Sequence, residues 1–144
     1  MPPLSPHRTA AREILTIIPL VMRTIGSELR HSGTLTVPGH LGLLFVLSQK
    51  PHNLSELAQK HNVSLPTMSN TISGLVERGL VQRTRASHDR RQVIIELTAA
   101  GQAVLDEIVA QAEAHVAEII APLKPEELDQ LLTGLSLLRA AFTR

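Results

Sequence analysis

At Gly79 the spacing of apolar residues changes from a helical to an extended period, and this constrains the fold more than any other feature of the chain. Upstream, residues 66–78 place Met68, Ile72, Leu75 and Val76 on one side of a helix, with short polar residues opposite. Downstream, residues 80–85 and 92–97 alternate apolar and polar side chains about the segment Ala86-Ser87-His88-Asp89-Arg90-Arg91. That is the pattern of a two-stranded hairpin with an exposed tip. Gly79 suits the junction because helices often end on a left-handed residue, a conformation open to glycine without steric cost.

The segment before this junction is equally ordered. Residues 54–61 form a short helical pattern carrying Leu57 and Ala58, and Asn62-Val63-Ser64 reads as a turn. Ser64 is a good N-cap, and Pro66 is tolerated where the first-turn amides lack intrahelical partners. Longer helices are expected on both sides. Residues 9–30 repeat Ile14, Ile17, Ile18, Val21, Met22, Ile25 and Leu29 at helical spacing, with a kink expected near Pro19, which lacks an amide donor. Residues 38–48 read as a largely buried helix containing Leu41, Leu44, Phe45 and Leu47.

Thr98 caps a helix over residues 99–121, punctuated by Pro122 and Pro125. A last helix starts at Pro125, where Glu126, Glu127 and Asp129 suit the positive end of the helix dipole. The expected fold is therefore mainly α with a small β-hairpin. One small core does not need all these apolar stripes, so two chains are expected to pack through their termini, on Ile14, Ile17, Val21, Leu128, Leu131, Leu135 and Leu138.

At 144 residues the chain suits one compact domain and leaves no room for a separate catalytic one. Fourteen Lys and Arg against thirteen Asp and Glu give a net charge of only +1, but the distribution is uneven. Residues 78–91 hold five arginines and one acid, whereas residues 101–144 hold seven acids and three bases. A concentrated positive segment on a neutral or acidic frame suits a local contact with phosphate. Cysteine is absent, which excludes disulfides and thiolate chemistry. No apolar run approaches the roughly 20 residues of a membrane span, so no membrane partner is expected. The basic start with His7, Arg8 and Arg12 lacks the other marks of a secretion signal, and a cytoplasmic location is expected.

A short helix, a turn, a second helix and then a basic hairpin form the arrangement that lays one helix in the DNA major groove and a wing along the backbone. Ser64, Pro66, Thr67, Ser69, Asn70 and Ser73 make up the candidate recognition surface. Asn70 carries a side-chain amide able to pair bidentately with adenine. Taken alone these residues also fit an ordinary solvated helix face. The basic hairpin turns the balance toward double-stranded DNA.

The stretches Leu54-Ser55-Glu56-Leu57-Ala58, Leu75-Val76-Glu77-Arg78-Gly79-Leu80-Val81-Gln82-Arg83, Asp89-Arg90-Arg91 and Leu97-Thr98-Ala99-Ala100-Gly101 together resemble the MarR family of winged helix-turn-helix transcriptional regulators. The resemblance implies a winged helix-turn-helix domain over residues 32–100 and a helical dimerisation region over residues 1–31 and 101–144. It implies that Arg91 enters the minor groove, that Asp89 holds the wing tip by pairing with an arginine, and that Arg83, Arg85 and Arg90 contact the DNA backbone beside Ser87 and His88. An ordinary strand face or internal pairing is the competing reading for Arg83 and Arg85. It also implies a homodimer on a pseudo-palindromic operator, with repression as the expected direction and release by a small-molecule effector. Arg23 and His40 are the candidate ligand residues, although an exposed arginine and a helix-terminal histidine are their plainer readings. With Phe45 and Phe142 as the only aromatic residues, such a pocket would be aliphatic.

The alternative is a metal-responsive regulator using histidine and carboxylate ligands. His115 and Glu118 lie three apart and His52 and Glu56 four apart, spacings that share a helix face. Neither pair belongs to a recognisable ligand set, and no metal or other cofactor is expected. The chain has no nucleophile elbow and no phosphate loop, so it is not expected to be an enzyme.

Overall fold

The computed structural model describes the chain apart from residues 1, 2, 4, 33–38, 87, 89 and 90 and the side chains of 31, 32 and 39. Helix α1 spans Pro6–Ser32, starting earlier than the apolar period indicates and running through Pro19 without a break. Its start follows from Ser5, whose hydroxyl accepts from the Arg8 amide at 3.4 Å and whose carbonyl accepts from Thr9 at 3.0 Å. Pro6 then occupies a position where no amide is needed. Helix α2 spans Gly39–Gln49 and buries Leu43, Leu44 and Leu47. Phe45, expected in its buried face, is instead 56% exposed.

The next elements form the helix-turn-helix. Strand β1 is His52–Asn53, helix α3 is Leu54–Lys60, and helix α4 is Leu65–Glu77. Asn53 caps α3 by accepting from the Glu56 amide at 2.8 Å, while its own amide donates to Glu56 Oε1 at 3.0 Å. Both helices end in the same way. Among the described residues Asn62 (φ 52°) and Gly79 (φ 74°) are those of positive φ. The residue after each donates back five positions, Val63 to the Ala58 carbonyl and Leu80 to that of Leu75, both at 3.0 Å. This double closure satisfies carbonyls that the helix end would orphan and turns the chain sharply. Asn62 adopts the left-handed conformation because asparagine is the side chain that tolerates it best after glycine.

Strands β2, Val81–Arg85, and β3, Val93–Leu97, pair antiparallel with Arg83 opposite Ile95. The expected two-stranded hairpin is in fact part of a three-stranded sheet in the order β1-β3-β2, with His52 paired to Ile95 and Asn53 to Ile94. A two-residue strand shows no alternation, which is why β1 escapes a sequence reading. Helix α5 is Ala99–Ile120 and helix α6 is Pro125–Phe142.

The chain divides into two compact units, Met1–Ala112 and Glu113–Arg144. The first contains a continuous apolar cluster built from Leu29 of α1, the α2 leucines, Leu57, Met68, Ile72, Leu75, Ile95, Leu105 and Ile108. Each such side chain contributes about 1.5–3 kcal/mol by leaving water, enough to hold the short helices in place. In the second unit α6 has no buried residue. Among the described residues no helix is long and apolar enough to cross a membrane.

Candidate nucleic-acid interface

Helix α4 begins on Ser64, whose extended backbone turns the chain into the helix. The Ser64 hydroxyl accepts from the Thr67 amide at 3.2 Å and donates to Thr67 Oγ1 at 2.9 Å, so it serves the cap first. Met68, Ile72 and Leu75 are buried, and this decides which face of the helix turns inward. Ser64, Pro66, Thr67 and Asn70 are then exposed, while Ser69 and Ser73 are half-buried. No described hydrogen bond occupies the Asn70 amide, which leaves both its donor and its acceptor for an incoming base edge.

Ser73 faces the sheet. Its hydroxyl donates to the Ser69 carbonyl at 2.9 Å and accepts from Arg83 Nη2 at 2.8 Å. Arg83 stands on β2 opposite Ile95, on the sheet face whose neighbouring positions Val81 and Ile95 are buried. Side chains directly opposite in an antiparallel pair share a face, so Arg83 is aimed at α4. On the other face Gln82 and Thr84 contact Glu96, at 3.3 Å and 3.4 Å. Residue spacing alone could not show the Arg83–Ser73 pairing, because it joins residues ten apart on two different elements.

Arg85, His88 and Arg91 are exposed. Arg91 lines a cavity of about 270 Å³ with Asn53, Leu54 and Ser55, so the distal end of the hairpin lies beside the start of α3. Ser87, Asp89 and Arg90 lie outside the described residues, and with them the expected wing-tip pairing of Asp89.

A Thr98-centred knot joins the wing to the rest. Thr98 Oγ1 donates to the Gly79 carbonyl at 2.6 Å and accepts from the Gly101 amide at 3.0 Å, while the Thr98 amide donates to the Leu80 carbonyl at 3.1 Å. A side chain at Gly101 would overlap the Leu80 carbonyl oxygen. The Leu-Thr-x-x-Gly motif is thereby explained as a close junction between the end of α4, β3 and α5.

His40 lines a cavity of about 300 Å³ with Leu43, His61, Val63, Thr67, Met68 and Thr71. Arg23, its expected companion, is exposed on α1 and is not among the lining residues. The second histidine of this cavity was not foreseen. His40 Nδ1 and His61 Nε2 are buried and have no hydrogen-bond partner among the described residues. Burial pushes the His40 imidazole below its ordinary range, and the charge of Arg78 acts in the same direction.

Of the two histidine–carboxylate spacings, His115 and Glu118 lie three apart on α5, whereas His52 and Glu56 do not share a helix. His52 belongs to β1, not to a helix face shared with Glu56, and its Nδ1 donates to the Lys50 carbonyl at 2.8 Å from a buried position. The Glu56 carboxylate accepts from Asn53. Among the described residues no three His, Cys, Asp or Glu side chains gather to hold a metal ion. The expected interface residues are incompletely covered in the single chain: Ile14, Leu131 and Leu138 are half-buried, and Ile17, Val21, Leu128 and Leu135 are between 37% and 49% exposed.

Residues 35–93 match the model of the MarR family. An HTH-type transcriptional repressor of Bacillus subtilis, YetL, is 30% identical over 92 residues, which are 62% of this chain and 55% of that protein. The transcriptional regulator Tm0710 of Thermotoga maritima superposes with a TM-score of 0.80 at 22% identity, over 95% of this chain and 96% of that one. The apo form of wild-type MarR from Escherichia coli superposes with a TM-score of 0.74 at 20% identity, over 89% and 94% respectively. At these identities the structural likeness speaks for the winged-helix fold.

Proposed function

We propose, from the match of residues 35–93 to the MarR family model, that this chain is a sequence-specific DNA-binding regulator of transcription. It acts in the cytoplasm as a homodimer that presents two copies of α4 to successive major grooves, about 34 Å apart, on a pseudo-palindromic operator. The observation that carries this reading is the outward face of α4, where an unoccupied Asn70 amide stands about one and a half turns from a Ser64-capped N-terminus and is followed at once by the arginine-bearing β2–β3 wing. Phosphate contacts by Arg85 and Arg90 and a minor-groove contact by Arg91 supply affinity, and Asn70 supplies sequence choice in the major groove. The exposed stripes of α1 and α6 supply the dimer contact, each covering apolar surface that the single chain leaves in water. Repression by occupying the operator is the direction supported by likeness to the YetL repressor. A small-molecule effector acts by altering the separation of the two recognition helices.

Selection of bound duplexes from a random pool, followed by titration of the selected duplex at several salt concentrations, tests the proposal. Enrichment of a pseudo-palindrome with a steep salt dependence is expected, since each neutralised phosphate contributes a slope of about −0.9 in log K against log salt. A pool that yields no enriched duplex overturns it.

A further inference from the structure

The hydrogen bonds of Arg83 and Ser73 give these residues a different task from the one their types indicate. Arg83 is a cation on a wing strand, and Ser73 is a short polar residue on a recognition helix. Each alone reads as a DNA contact. In the folded chain Arg83 Nη2 donates to Ser73 Oγ at 2.8 Å, and the Ser73 hydroxyl proton goes to the Ser69 carbonyl at 2.9 Å. Arg83 Nη2 also lies 3.5 Å from the Ser69 carbonyl, a weaker contact that converges on the same point. A hydroxyl has one proton, and here it is committed to the helix backbone. A cation donating to its oxygen polarises the hydroxyl and strengthens that second bond.

Ser69 is the chain neighbour of Asn70, so the relay ends beside the side chain best suited to read a base. We propose that Arg83 is a positioning residue: acting through Ser73, it sets the rotation of α4 against the β2–β3 wing and thereby the placement of Asn70 in the major groove. The inference rests on the DNA-binding reading above. Side chains on a helix lie roughly 5–6 Å from its axis, so a rotation of about 10° moves the Asn70 amide by about 1 Å. A bidentate base contact tolerates only a few tenths of an ångström around its optimum. The apolar residues Met68, Ile72 and Leu75 hold the inner face of α4. Their packing fixes which face of the helix turns inward, and the directional bond to β2 adds a second constraint that trims the rotation left within it.

The test uses the full-length protein and the duplex it selects from a random pool. Four variants are compared with the parent: Ser73→Ala, Ser73→Thr, Arg83→Gln and the double variant Ser73→Ala/Arg83→Gln. The quantity read is the ratio of affinities for the selected and a scrambled duplex, with the salt slope measured alongside and thermal melts confirming that each variant is folded. Ser73→Ala removes no charge, yet it is expected to lower that ratio about fivefold to tenfold at an unchanged salt slope. Arg83→Gln is expected to lower it equally, the double variant no further, and Ser73→Thr, which keeps the hydroxyl, to restore it. The contrary result is a silent Ser73→Ala together with an Arg83→Gln that weakens both duplexes alike and loses about one unit of salt slope. That would make Arg83 a phosphate contact and overturn the assignment. If the parent protein selects no duplex at all, the failure appears before any variant is made and removes the DNA-binding reading together with this one.

Discussion

The Thr98 hydroxyl donates to the Gly79 carbonyl at 2.6 Å, and this bond links the exit of α4 to the residue that caps α5. Its oxygen also receives the Gly101 amide, so Thr98 caps α5 and closes the wing together. Thr98→Val keeps the shape and removes the hydroxyl. It is expected to cost about 1 kcal/mol in urea unfolding, with an unchanged m-value, chiefly from the lost cap, since water can reach the exposed Gly79 carbonyl. A variant within a few tenths of a kcal/mol of the parent would mean that the backbone bond from the Thr98 amide to Leu80 suffices.

Gly101→Ala and Gly74→Ala are expected to act in opposite directions. A Cβ at residue 101 would meet the Leu80 carbonyl oxygen, which belongs to backbone that cannot swing aside, whereas a Cβ at residue 74 meets nothing within 4 Å. Overpacking costs about 1–3 kcal/mol, and an unhindered glycine replacement within a helix gains about 0.5–1 kcal/mol. Thermal midpoints should therefore fall for the first and rise for the second. Equal shifts in both would show that the junction relaxes.

Stability should depend on pH through His40. Burial, and secondarily Arg78, lowers its pKa below the ordinary value of 6.5, so the unfolded chain binds this proton more readily than the folded one. The contribution is fully present above that ordinary value and is lost as pH falls through the lowered folded value. His40→Asn should leave the unfolding free energy less sensitive to acid over that window than in the parent. Parallel pH profiles for parent and variant would show that the two states bind the proton alike.

Asn70→Ala and Arg91→Ala separate base reading in the major groove from charge attraction at the wing. Loss of the amide is expected to reduce affinity for the selected duplex by about 1–3 kcal/mol without altering the salt slope, because no charge is removed. Arg91→Ala should weaken selected and scrambled duplexes together and flatten the slope by about one unit, with the dimer intact. An unchanged slope would remove Arg91 from the DNA contact.

Leu135→Asp and Leu131→Asp probe the pairing of two chains. Leu135 is 49% exposed in the single chain, so its own fold should tolerate an aspartate there. At a helical interface the same charge would be buried without a partner, at a cost of several kcal/mol. Light scattering is expected to report monomers for these variants, and unchanged dimers would place the contact elsewhere.

Local chemistry determined what the sequence made legible on its own. The period change at Gly79, the Ser64 cap, the wing alternation and the apolar stripes are properties of neighbouring residues, and they place α1 to α6, β2 and β3 with the fold class. Strand β1 escaped because two residues carry no period, and its pairing partner Ile95 is more than forty positions away. The exposure of Phe45, the burial of His52 and the shared cavity of His40 and His61 depend equally on which elements meet. The same holds for Arg83 and Ser73. Their residue types mark both as DNA contacts, and only the tertiary structure decided that they bind each other, because a side chain's partner is set by the approach of two elements whose distance in space is not written in their spacing along the chain.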